Sequence, residues 1–143
     1  MLKLGNKNKD KLLIVLAFIS IFGSVIVYRS YAANNQKDIS KPGTYSISVL
    51  ANYESEYYNI ENNQPLIINS NINSNYTYCI YGYSSDSGLL LVSFGSTEYT
   101  FQFEPNNDNY EIGCLNFEEN GILSGDIKVS STNDIHLSNL VVK

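Results

Sequence analysis

The sequence has 143 residues, of which 16% are charged, and 14 acids against nine lysines and arginines leave a formal charge of −5. The excess is uneven: beyond Ser30 four lysines face thirteen acids, a balance of −9 that repels nucleic-acid phosphates, so no nucleic-acid partner is expected. Once the first forty or so residues are set aside, about 100 remain, the size of one β-sandwich.

Residues 1–11 carry Lys3, Lys7, Lys9 and Lys11 with only Asp10 opposing them, and read as a cytoplasmic stub. The run Leu12–Tyr28, LLIVLAFISIFGSVIVY, holds no charge in 17 residues and is bracketed by Lys11 and Arg29. It reads as a transmembrane anchor or as the core of an export signal. At 1.5 Å per residue it spans roughly 26 Å as a helix, slightly short of a hydrocarbon core of about 30 Å, so the flanking cations would snorkel. The lysines before it place the N-terminus inside and the C-terminal domain outside the cell membrane, single-pass. Ser30-Tyr31-Ala32 also supplies small residues for cleavage after Ala32, in which case the domain is secreted. Residues 29–41 read as a polar tether.

From Pro42 the period changes to two, and residues 42–143 are expected to form an extracytoplasmic, all-β, antiparallel β-sandwich. Tyr45, Ile47 and Val49 alternate with polar residues as in a half-buried strand. Further strands are predicted around 66–69, 75–83, 89–94, 98–104, 110–117, 126–130 and 135–142, separated by Asn-, Ser- and Gly-rich turns. Tyr99, Phe101 and Phe103 line one face of the clearest strand and read as core.

Cys79 and Cys114 fall in the exported part, where a disulfide is permitted; two buried thiols are the alternative. Tyr53, Glu54, Glu56, Tyr57 and Tyr58 lie in a stretch that does not alternate cleanly. These tyrosines can stack on sugar rings while the glutamates accept hydrogen bonds from the hydroxyls, or they can meet a protein partner; packing over one end of the sandwich is the plainer reading. His136 is the only histidine and points opposite to Ile135 and Leu137. With no second histidine and no G-x-S-x-G elbow, no catalytic residues, metal site or cofactor are expected. The carboxylate pairs Glu54/Glu56 and Glu118/Glu119 read as solvated acids, and Asp86, Asp108 and Glu118 as turn residues capable of meeting a calcium ion.

The stretch Tyr76–Val142 resembles the second half of a galactose-binding-like jelly roll, of the kind found in carbohydrate-binding modules attached to polysaccharide hydrolases. The matching pieces begin at Tyr76, Gly88, Thr97 and Leu137. Where that family often has Asp-Asn in the last strand this chain has Ser138-Asn139, and it contains no tryptophan for sugar stacking. The resemblance implies a non-enzymatic module for an envelope glycan or polysaccharide, and the apolar run Leu12–Tyr28 would anchor it at the membrane surface. The alternative is a protein-interaction or assembly subunit of an envelope complex.

Overall fold

A computed structural model describes residues 36–61 and 64–143, so the run Leu12–Tyr28 and the choice between anchor and signal lie outside the described residues. Among the described residues no helix is long and apolar enough to cross a membrane. The chain runs through β1 (Lys37–Asp38), β2 (Gly43–Ser46), α1 (Ile47–Leu50), β3 (Tyr58–Ile60), β4 (Leu66–Asn73) and β5 (Tyr78–Ser84). It continues through β6 (Gly88–Phe94), β7 (Thr97–Phe103), β8 (Asn106–Leu115), β9 (Ile122–Ser131) and β10 (Ile135–Val142).

The strands form two sheets, ordered β1-β4-β9-β6-β7 and β2-β10-β5-β8, with β3 sharing the edge of β10 that β2 also occupies. The pairing is antiparallel except for β1, which runs parallel to β4. That short strand lies in the expected tether. Ile39, immediately after it, is fully buried, so Gln36–Ile39 belong to the folded body.

Inward-facing residues follow the period of two. Leu66, Ile68 and Ile72 on β4 pack with Leu90 and Val92 on β6, Ile127 and Val129 on β9, and Ile80, Leu137 and Leu140 from the facing sheet. In β10 the register slips between Leu137 and Asn139. This bulge lets Leu137 and Leu140, three positions apart, both face the core. The Ser138 hydroxyl lies 3.1 Å from the Tyr81 carbonyl and 2.6 Å from the Asn109 side-chain amide oxygen, so Ser138 fastens the bulge to β5 and β8.

The strand expected over Thr44–Val49 stops at Ser46. Its hydroxyl caps a single helical turn by accepting from the Val49 amide at 3.4 Å. Ile47 and Leu50, three apart, bury one face of that turn, and Val49 points outward, 68% exposed.

Cys79 and Cys114 stand directly opposite each other on β5 and β8 and are bonded, with Cα atoms 4.0 Å apart. The bridge closes a separation of 35 residues, which in the chain-entropy account contributes about 2–4 kcal/mol. It lies on the outer face of its sheet. Beside it Glu111 accepts from the Tyr81 hydroxyl at 2.8 Å and from Lys143 Nζ at 3.1 Å, and these two bonds hold its carboxyl below the ordinary glutamate range.

β7 and β8 are the edges at which the two sheets meet. Phe103 is buried, but Tyr99 and Phe101 are only half-buried, because an edge strand has no neighbour on its far side to complete the cover. Phe101 instead lies against the backbone of β8 at Gly113, where a Cβ would come within 2.2 Å of the ring.

Three outcomes follow from this packing. Gly113→Ala is expected to lift Phe101 off β8 and to cost about 1–3 kcal/mol in denaturant unfolding. The Ser70 hydroxyl is fully buried and has no hydrogen-bond partner, so Ser70→Ala should raise the unfolding free energy by about 1 kcal/mol. A carboxyl depressed in the folded state stabilises above its unfolded pKa and loses that contribution as pH falls through the folded value. Melting curves taken from neutral into acid pH should therefore fall less steeply for Glu111→Gln than for wild type.

Candidate functional site: an aromatic cleft at one end of the sandwich

The two ends of the β5–β10 pair carry different chemistry. At one end Tyr83 faces His136 across the strands, and at the other Tyr78 faces Val142 and Leu115. The tyrosines singled out from the sequence lie at the first end. Tyr57 meets Tyr83 edge-on at 5.1 Å, Tyr83 stacks on His136 at 4.6 Å, and Tyr53 meets Tyr58 edge-on at 5.3 Å. Glu54 and Glu56 are exposed beside them, and the charge of Glu56 pushes the Tyr57 phenol above its ordinary range. Tyr53 is 53% exposed, whereas Tyr57 and Tyr58 are half-buried. The three tyrosines of the stretch thus fall into two aromatic pairs, Tyr53 with Tyr58 and Tyr57 with Tyr83, the second extended by His136. His136 points away from Ile135 and Leu137, as its strand position predicts, but its ring is taken up by Tyr83.

A concave site lies at the opposite end and is lined by none of those five residues. It is a cleft of about 500 Å³ bounded by the end of β6, the Gly95–Ser96 turn, the start of β7, the loop after β8 and the start of β9. Its apolar walls are Phe94, Tyr99, Phe117 and Leu123, and its polar rim is Ser96, Thr97, Asn116, Glu118, Glu119 and Ser124.

These walls follow from the fold. Phe94 and Tyr99 are half-buried positions in register with the core residues Ile127 and Val92 on the neighbouring strands. Phe94 lies over β9 at Gly125, where a Cβ would stand 3.1 Å from the ring. Phe117 comes from the loop between β8 and β9 and packs edge-on against Phe94 at 5.4 Å, Tyr99 at 6.2 Å and the buried Tyr78 at 5.5 Å. Edge-to-face pairs of this kind each contribute about 0.5–1.5 kcal/mol beyond their buried area.

The loop that carries the carboxylates is fastened at both ends. At Asn116 the side-chain oxygen accepts from the Thr77 hydroxyl at 2.7 Å and the carbonyl accepts from the Tyr99 hydroxyl. At Gly121 the carbonyl accepts from the Ser74 amide at 3.0 Å and from its hydroxyl at 3.1 Å, and the backbone takes the left-handed φ of 101° that glycine tolerates. Glu118 and Glu119 are thereby presented to solvent on a short, pinned span. Burial, and then the charge of Glu118, push the Tyr99 phenol above its ordinary range, so it stays protonated and keeps donating to Asn116. The cleft has aromatic surface for stacking and amide, hydroxyl and carboxylate groups for hydrogen bonds. Among the described residues, no histidine, cysteine, lysine or arginine lines it.

From the sequence Tyr99 reads as core and Glu118 and Glu119 as solvated acids, and the pattern does not single out Phe94, Asn116 or Phe117 as site residues. The available signal was an aromatic residue two positions beyond a strand end with two carboxylates immediately after it. Asp86, Asp108 and Glu118 do not converge: among the described residues the one group of potential ligands within coordinating distance is Cys79, Glu111 and Cys114, whose sulfurs are bonded to each other.

No protein-family model matches the sequence, and no curated protein does. Among solved structures, the chain is similar to a family 6 carbohydrate-binding module whose binding subsites were dissected by crystallography and calorimetry. The superposition has a TM-score of 0.50 at 12% identity and covers 76% of this chain and 96% of the module. At that identity the likeness is one of fold. The fold is a jelly roll like that of the module, and the likeness extends well beyond the half of the chain in which the sequence resembles one.

Proposed function

We propose that this domain is a non-enzymatic binding module that holds a glycan in the cleft between Phe94, Tyr99 and Phe117. The observation that carries the reading is the cleft itself, in which aromatic walls face a rim of amide, hydroxyl and carboxylate groups. Sugar rings combine apolar C–H faces with a girdle of hydroxyls, so a site for them needs both kinds of surface within a few ångströms. The pinned loop adds affinity, because its ordering entropy is lost on folding and not again on binding. The fold likeness to a carbohydrate-binding module supports the same reading.

The N-terminal run Leu12–Tyr28 would tether the module to the cell membrane and present it to an envelope glycan or extracellular polysaccharide. A second reading, contact with an envelope protein, is favoured by the opposite end, where Val49 and Tyr53 are both mostly exposed and the Tyr53 amide bonds to the Ser48 carbonyl at 2.8 Å.

Full-length protein in detergent, incubated with a panel of insoluble envelope and plant polysaccharides, should be retained by at least one of them. Tyr99→Ala should weaken that retention at least tenfold while near-ultraviolet circular dichroism reports an intact fold. Retention unchanged in Tyr99→Ala, or no retention on any polysaccharide, would refute the assignment.

A further inference from the structure

The charges around the cleft narrow what kind of sugar it takes. Among the described residues, Glu118 and Glu119 are the charged residues of its lining, and no cationic side chain accompanies them. Lys128 lies in a neighbouring groove together with Asp126. Beyond the cleft, residues 36–143 carry four lysines against thirteen acids, so the field of the whole body reinforces the two carboxylates. Uronate or sulfated polymers would meet like charge at the rim; a neutral sugar could offer the two carboxylates hydroxyl hydrogen bonds, whereas an ammonium-bearing sugar adds charge-assisted ones.

The rings point in the same direction. The Tyr99 hydroxyl is committed to the Asn116 carbonyl, so Tyr99 adds aromatic carbon rather than a free hydroxyl to the lining it shares with Phe94 and Phe117. An aromatic face attracts a cation within about 6 Å of its centroid, and attracts it more strongly when a carboxylate lies close by. Walls and rim together therefore suit a ligand group that is at once ring-borne, compact and positively charged.

We propose that the cleft recognises a glycan with free amino groups, a polymer of 2-amino sugars that are not N-acetylated, its ammonium held by Glu118 and Glu119 while the pyranose face lies on Tyr99. This proposal rests on the glycan reading above and adds the ligand's charge to it.

The test is a calorimetric titration of the full-length protein in a neutral detergent with three tetrasaccharides: glucosamine, N-acetylglucosamine and glucose oligomers of matched length. The glucosamine oligomer should bind at least tenfold more tightly than the other two. Added salt should shrink that advantage, because it screens the exposed carboxylates. Glu118→Gln with Glu119→Gln should abolish the preference and leave weak, equal binding of all three; both side chains are exposed, so the fold is not at stake.

Equal affinity of the wild type for all three oligomers, or a preference that survives the double substitution, would overturn the amino-sugar assignment and leave the glycan reading standing. Failure to bind any saccharide, with binding of an oligolysine peptide that the double substitution removes, would overturn both and point to a basic protein partner.

Discussion

Phe117 sits edge-on to three rings at once, Tyr78, Phe94 and Tyr99, and in doing so ties the core to the walls of the cleft. Tyr78 is fully buried, and its hydroxyl donates to the Ile39 carbonyl at 2.9 Å and accepts from the Asn73 amide at 2.7 Å. The ring on which Phe117 rests is thus fixed from both sheets. Because Phe117 belongs to the loop after β8, its anchorage also sets where that loop runs and where Glu118 and Glu119 are presented. If this contact were lost the sandwich would keep most of its apolar core, but the cleft would lose a wall and its acidic rim would lose its position.

The closure of the two sheets serves the same end. Phe101 stacks parallel to Tyr99 at 6.3 Å and lies on the bare backbone at Gly113, so the edges of the two sheets meet without an intervening side chain on β8. The disulfide one residue further along β8 fastens that strand to β5 on the outer face. Inner and outer faces of β8 are therefore both fixed just before the loop begins. A site built on such a support loses little freedom when a ligand arrives, which suits binding of a repetitive, weakly interacting polymer.

Most strands of the sandwich were legible because burial in a half-covered sheet imposes a period of two. However, β4 extends beyond the expected 66–69 and β9 begins before the expected 126, and buried Ser70 and exposed Ile67 and Ile122 break the apolar alternation. The failures have local causes. The strand through Val49 was misread because Ser46 is a helix cap, and Ile47 and Leu50 fit the face of a helical turn as well as Ile47 fits a strand. The tether was drawn too long because a two-residue parallel strand at Lys37 leaves no periodic trace. Tyr99 and Phe101 alternate as core residues do, yet their strand proved to be an edge, and edge status depends on partners that lie far away in sequence. The cleft was hidden for the same reason, since its walls come from β6, β7 and the loop after β8 and converge only through the topology. The disulfide could be proposed but not decided from the sequence, because it depends on Cys79 and Cys114 being in register.

The central claim is that the glycan site is the end of the sandwich that holds Phe117 and not the end that holds Tyr57 and His136. Backbone amide chemical-shift mapping of isotope-labelled protein with a bound oligosaccharide tests this directly. The account predicts perturbations concentrated in residues 94–99 and 116–124. Perturbations centred instead on residues 53–58, Tyr83 and His136 would contradict it.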